Sequence, residues 1–359
     1  MLETSNMILS PFQLKHLSLK NRAVVAPMSR VSTKGNGVPT ASMIEYYKRF
    51  AEGKFSLIIT EGTYTDHSYS QAYPNQPGLI NEAQLDGWRR LVDAVKQSGS
   101  SIILQLMHAG ALSQHLTDTR SASDVQPLRA MLPGYSQKQG AYPKPHAMNL
   151  EEIKTVKLGF IETAKRAEQI GFDGVELHAA NGYLLDQFLT DYTNRREDCY
   201  GGNLLNRVRL SSEILQEIKG TVSSEFIVGI RLSQGKVNDF DYLWPGGVDD
   251  GAVIFKSLQQ AGADYIHFAS EGQGFDHGCL TREGESLPQL ASSLTQLPVI
   301  ANGGLETVSE ATRILKDGHG GLISLGKGAL ANPDWPQKIT QGDTLKAFQP
   351  DYFAEGVAL

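Results

Sequence analysis

The run His178-Ala179-Ala180-Asn181-Gly182-Tyr183 places an imidazole, a carboxamide and a phenol close together in the chain. Converging imidazole and amide groups can both hydrogen-bond one substrate oxygen. A phenol just beyond them can hand over a proton, because an unperturbed tyrosine stays protonated at neutral pH. Polarising a carbonyl while delivering a proton beside it suits reactions that build enolate-like charge. Taken alone, the motif is equally consistent with a satisfied structural histidine and a packed tyrosine. A second group of residues points to an anion. Gly303-Gly304 and Gly326-Lys327-Gly328 each follow a short apolar run and lead towards a helix. Bare backbone N–H groups and one ammonium would meet there, as in phosphate sites, although such glycines also serve plain tight turns.

These residues lie far apart in sequence, so a scaffold must bring them together. Short, nearly continuous apolar runs over 23–28, 56–60, 101–107, 174–178, 226–231, 265–269, 298–301 and 321–326 read as strands buried on both faces. Between them lie amphipathic segments such as 151–170, where Ile153, Val156, Phe160, Ala164 and Ala167 recur at helical spacing. Gly99, Gly171, Gly262 and Gly318 sit where a helix would end before a strand, a place for left-handed backbone. The alternation predicts an α/β fold, a single eight-stranded (β/α)8 TIM barrel spanning residues 1–359 as one domain. The alternating segment 8–20 is expected to be an N-terminal hairpin closing the barrel floor. A barrel carries its chemistry where strands end. Those ends hold Pro27-Met28-Ser29-Arg30, Glu61-Gly62, Gln105, His108, the His178–Tyr183 motif, Arg231, Asn302-Gly303-Gly304 and Gly326-Lys327. The irregular stretch 111–149 would be a long loop beside the site. A dinucleotide-binding doubly wound sheet fits poorly. GNGVPT at Gly35 lacks its third glycine, and GQGFDHG from Gly272 is one residue too long, so both read as flexible loops.

Composition narrows the function classes. The 33 Lys and Arg against 39 Asp and Glu give a net charge of −6, which argues against sequence-independent attraction to nucleic acid. The two cysteines, Cys199 and Cys279, form no zinc, iron–sulfur or disulfide framework. No apolar run approaches the roughly 18 residues that span a bilayer, and the start lacks a basic-then-apolar leader, so the expected location is the cytoplasm. His16, His115, His146 and His319 read as surface or capping residues. His108, His178 and His267 lack a carboxylate at metal spacing, so no metal site is expected. Arg195, Arg196 and Asp198 read as ion pairs fixing the loop after Tyr183, with Cys199 as a small buried residue within it.

Longer motifs carry a family resemblance. They are LKNRAVVAPMSR (19–30), ITEGT (59–63), PGL with QLDGW, LQLMHAG (104–110), VELHAANGYLLDQFLTDYTNRREDCYGGNLLNR (175–207) and LGKGALANPDW (325–335). With them the chain resembles the Old Yellow Enzyme family of FMN-dependent ene-reductases. The resemblance implies noncovalent FMN at the barrel mouth, NADH or NADPH as hydride donor, and a small electron-poor alkene as substrate. It implies no membrane partner and leaves a homo-oligomer open. By the same resemblance Ala26, Pro27, Met28 and Ser29 line the flavin, Gly62 contributes backbone and Gln105 meets the pyrimidine edge. Arg231 lies where reduction accumulates negative charge, and Gly303, Gly304, Gly326 and Lys327 hold the phosphate. His178 and Asn181 bind the substrate carbonyl, and Tyr183 protonates the α carbon. Lys327 stands where the family usually has Arg, and Ser29 where Thr or Cys is more frequent. The stretch 111–149 matches poorly. The neighbouring readings are an FMN dehydrogenase or demethylase on the same scaffold, and an FMN enzyme that reduces uridine in transfer RNA. The net charge and the HAANGY motif count against the latter.

Overall fold

The apolar runs become strands that close on themselves. In the computed structural model, which describes residues 7–351, β1 (Phe12–Leu14) and β2 (Leu17–Leu19) form an antiparallel hairpin. Next come β3 (Ala23–Val25), β4 (Leu57–Ile59), the short β5 (Thr63–Tyr64) and β6 (Ser101–Met107). β7 (Arg120–Ser121) and β8 (His146–Ala147) lie in the irregular stretch after β6. β9 (Gly174–Asn181), β10 (Ile227–Lys236), β11 (Tyr265–Phe268), β12 (Val299–Asn302) and β13 (Leu322–Leu325) follow. Neighbouring barrel strands are parallel, and β4 pairs with both β3 and β6, which closes the barrel.

Strand alternation sorts side chains into an interior and a wall. Val24, Leu57, Ile103, Ile227, Tyr265, Ile300 and Leu322 meet inside, and Leu14 and Leu19 of the hairpin join the same cluster. The hairpin therefore plugs the floor, and each leucine buried there contributes roughly 1.5–3 kcal/mol. Tyr265 fits only because β10 carries Gly229 opposite it: a Cβ there would fall 2.1 Å from the ring. Further along the same inward rows the apolar residues give way to polar ones. Gln105 follows Ile103, His267 follows Tyr265, Asn302 follows Ile300 and Ser324 follows Leu322. The barrel is thus dry at its floor and polar at its mouth.

The outer helices bury the face that the periodicity predicts. Helix Leu150–Gln169 starts at an Asn149–Glu152 capping box and buries Ile153, Val156, Phe160, Ala164 and Ala167. The four joint glycines all adopt positive φ, from 76° at Gly318 to 96° at Gly99. Two strands run longer than their apolar patterns. β9 reaches Asn181 and β10 reaches Lys236, still paired across a bulge. Polar side chains at Ser233, Gln234 and Lys236 hide that extension from hydropathy. No described helix is long and apolar enough to cross a membrane.

Candidate active site

Asn181 ends β9 in a left-handed turn at φ 67°, and the overrun of β10 holds it there. Its N–H donates to Ser233 Oγ at 2.8 Å, and its carbonyl accepts from Val237 N–H at 3.1 Å. Gly182 continues the turn and donates to Asp186 Oδ2 at 2.7 Å. Asp186 is paired with Lys236 at 2.8 Å, and both side chains are buried. Tyr183 follows, immediately before the short helix Leu184–Leu189. The turn aims His178, Asn181 and Tyr183 into one cavity of about 240 Å3.

The cavity is short of hydrogen-bond partners. Burial, reinforced by Arg231, pushes the His178 imidazole down to about 3, so the ring is neutral and offers one N–H. His178 Nδ1, Asn181 Oδ1 and Arg231 Nε are all buried without a hydrogen-bond partner among the described residues. Such orphans are rare in folded proteins, and three around one cavity mark a place for a polar ligand. Burial holds the Tyr183 phenol well above its usual range, so it keeps its proton. Its hydroxyl lies 2.6 Å from that of Tyr73, and its ring centroid lies 5.0 Å from that of His178.

Beneath the mouth a buried polar network fixes the cavity floor. Glu176 accepts from Gln105 Nε2 at 2.9 Å and Tyr265 Oη at 2.9 Å, and meets His267 Nδ1 at 2.8 Å. His267 Nε2 reaches Ser324 Oγ at 2.8 Å, and Asn302 Nδ2 donates to the same oxygen at 3.0 Å. Because the Gln105 amide nitrogen is held by Glu176, its carbonyl oxygen is left to accept from a ligand. On one side, Glu61 accepts from the backbone N–H groups of Arg30 and Val31, both at 2.9 Å, and so pins the turn that carries Ser29.

The expected site residues fall into two neighbouring groups. Pro27, Met28, Ser29, Gln105, His178, Asn181, Tyr183 and Arg231 line the cavity. Gly303, Gly304, Gly326 and Lys327 lie to one side. Gly303, at φ 123°, packs so tightly on the loop after β11 that a Cβ would fall 2.6 Å from Phe275 N. Gly304 lies against Gly274, and the Lys327 ammonium lies 3.9 Å from where a Cβ on Gly272 would stand. Gly272 itself lines the cavity, so the two groups are continuous. The segment beginning at Gly272, read as a flexible loop, thus brings Gly272 to the site. Ala26 lies just behind the lining, its N–H bonded to Leu325 O at 2.9 Å. Gly62 stands off the cavity: its carbonyl accepts from Gln76 Nε2 at 2.7 Å, and a Cβ would strike Met107 Sδ.

Several residues of the site escaped the sequence reading. Tyr73, Leu132, Tyr135, Val237 and Glu271 all line the cavity. Leu132 and Tyr135 come from the irregular 111–149 stretch, whose strand pairing among the described residues is β7 with β8 and a bridge between Ala130 and Ala141. That stretch is tied down by Arg196, which donates to Ala122 O at 3.0 Å and Met148 O at 2.5 Å while pairing with Asp198. Among the described residues Arg195 makes no such pair, and it donates instead to Tyr192 O. Cys199 is exposed rather than buried. Tyr200 and Asn194 fill the inside of that loop, with Asn194 Nδ2 donating to Phe188 O and Tyr200 O.

A barrel mouth of this kind, with a guanidinium and an amide edge next to glycine-lined turns, accommodates FMN, and comparison with known proteins gives the same class. The chain belongs to the NADH:flavin oxidoreductase / NADH oxidase family, whose sequence model matches residues 7–346. It is 31% identical over 357 residues to 12-oxophytodienoate reductase 1 of Oryza sativa subsp. japonica, covering 96% of this chain and 89% of the relative. It is 32% identical to the NADH:fumarate oxidoreductase of Klebsiella pneumoniae, but spans 37% of that longer protein. The solved structure of morphinone reductase in complex with tetrahydroNAD superposes with a TM-score of 0.84 at 29% identity, covering 96% of this chain and 93% of that one. The protein is an FMN-dependent NAD(P)H oxidoreductase built on a TIM barrel.

Proposed function

We propose that this enzyme reduces the C=C bond of α,β-unsaturated carbonyl compounds and related electron-poor alkenes in a ping-pong cycle. FMN, when bound, supplies the hydride that NADH or NADPH has delivered. Gln105 and Arg231 would hold its ring, with Ala26, Pro27, Met28 and Ser29 along one edge and the Gly62 backbone nearby. Gly303, Gly304, Gly326 and Lys327 would hold its phosphate.

The observation that carries the reading is the convergence of His178, Asn181 and Tyr183 on one cavity, each in a state suited to a carbonyl substrate. A neutral imidazole and a carboxamide donate hydrogen bonds to the substrate oxygen without adding charge to the ground state. As the alkene is reduced, negative charge grows on that oxygen, and the same two donors stabilise it. Removing one such donor costs about 2.7–4 kcal/mol in comparable sites. Tyr183, protonated by burial, gives its proton to the α carbon. The reading takes residues 1–359 as one catalytic unit of the cytoplasm, with small molecules rather than nucleic acid as partners. The test is anaerobic turnover of the FMN-loaded protein with 2-cyclohexenone and NADH or NADPH. The expected product is cyclohexanone, with His178→Ala weakening enone binding and slowing its reduction. Absence of turnover with enones, maleimides and nitroalkenes alike would overturn the proposal.

A further inference from the structure

The Tyr183 hydroxyl has one hydrogen-bond partner among the described residues, the hydroxyl of Tyr73 at 2.6 Å. Neither ring is in contact with bulk water: Tyr73 is 2% exposed and Tyr183 5%. Both belong to an apolar cluster with Met107, Leu112 and Tyr142. The position of Tyr73 is built rather than incidental. Its ring stacks on Tyr135 at 4.8 Å between centroids, and Gln114 N–H donates to the carbonyl of neighbouring Ala72 at 2.7 Å. Gln76 Oε1 accepts from Ala72 N–H at 2.6 Å. Two loops thus clamp one phenol against another.

A phenol that gives up a proton in so dry a setting leaves a phenolate that water cannot solvate. We propose that Tyr73 is a second catalytic residue of the protonation step, donating its hydrogen bond to the Tyr183 oxygen. This orients the Tyr183 proton into the cavity and stabilises the charge left on the Tyr183 oxygen. The inference rests on the reading of Tyr183 as the proton donor. In the step, the electron pair of the substrate enolate forms the new C–H bond at the α carbon while the Tyr183 O–H bond breaks. Its pair stays on the Tyr183 oxygen, held by the Tyr73 hydrogen bond. A proton from water then restores the pair. Tyr135, which stacks on Tyr73, also borders an outer cleft of about 1100 Å3 together with Pro74 and Asn75.

The test compares Tyr73→Phe, Tyr183→Phe and the double variant as FMN-loaded proteins, each mixed in its reduced form with 2-cyclohexenone. Phe keeps the Tyr135 stacking and removes only the hydroxyl; matching melting temperatures and FMN content check the fold. One hydrogen bond to a developing charge sets the expected scale, about tenfold to hundredfold slower enone reduction in Tyr73→Phe. Reduction by NAD(P)H and reoxidation by a quinone should be unchanged, and adding Tyr73→Phe to Tyr183→Phe should cost nothing further. Equal losses in both backgrounds would show a merely structural role and overturn the inference, as would an unaffected Tyr73→Phe beside a slowed Tyr183→Phe. If Tyr183→Phe itself is unaffected, the proton-donor reading fails and this inference with it.

Discussion

Replacing Lys236 by Met tests whether the substrate-binding turn is held electrostatically. The Lys236 ammonium is 2.8 Å from Asp186 Oδ1, and the two side chains are 1% and 0% exposed. Asp186 Oδ2 in turn holds Gly182 N–H at 2.7 Å, one residue after Asn181. Met fills a similar volume but leaves the carboxylate buried without its cation, a change that costs about 3–5 kcal/mol. The cost should depend on pH. Burial already pushes the Asp186 carboxyl up, with Lys236 opposing it, so removing Lys236 raises its pKa in the folded state further. A folded pKa above the unfolded value contributes stability at low pH that is lost as pH rises through the folded pKa. The gap between the variant and the parent protein should therefore widen from pH 5 to pH 8. Asp186→Asn in the Lys236→Met background should narrow it again. Urea unfolding of the three proteins at both pH values measures these differences. A cost below about 1 kcal/mol at pH 8, or one independent of pH, would refute the argument that the pair clamps the turn.

Arg231→Met should make the bound flavin harder to reduce: a unit charge within about 6 Å at an effective dielectric near 20 is worth about 3 kcal/mol, or about 60 mV for two electrons. A spectroelectrochemical midpoint that stays put or rises would remove Arg231 from this role. Lys327→Ala should weaken FMN retention roughly tenfold to hundredfold, as read by equilibrium dialysis, with little change in turnover at saturating FMN. Glu61 and Glu271 have carboxyls pushed up to about 7, in both cases chiefly by burial. Both folded values lie above the unfolded one, so the FMN-free protein should melt lower at pH 8 than at pH 5.5, and Glu61→Gln should shrink that difference in a thermal scan.

The barrel was legible because parallel strands buried on both faces announce themselves as unbroken apolar runs. For the same reason β6 matches its expected bounds, whereas β10 outruns its own where polar residues take over and β9 runs on through two alanines to Asn181. Arg231, Gln105 and His178 could be placed at strand ends because a barrel gives those ends one address. Tyr73 and Tyr135 could not, since nothing in their local spacing says that two long loops stack them on each other with the Tyr73 hydroxyl against that of Tyr183. That the loop at Gly272 and Gly274 packs on the Gly303–Gly304 turn was not legible, because its partner lies far away in sequence. Cys199 was misplaced because its neighbours Asn194 and Tyr200, not its own size, decide which side of the loop faces inward.

The measurement that bears most directly on this account separates the two half-reactions in Tyr183→Phe. Stopped-flow mixing of the oxidised variant with NAD(P)H should show near-normal flavin reduction, since no carbon is protonated. Mixing the reduced variant with 2-cyclohexenone should show reoxidation slowed by roughly 100-fold or more, the scale of losing a positioned acid. Reoxidation by a quinone should survive. Unslowed enone reoxidation in this variant, at normal FMN content, would contradict the assignment of Tyr183 and the reaction built on it.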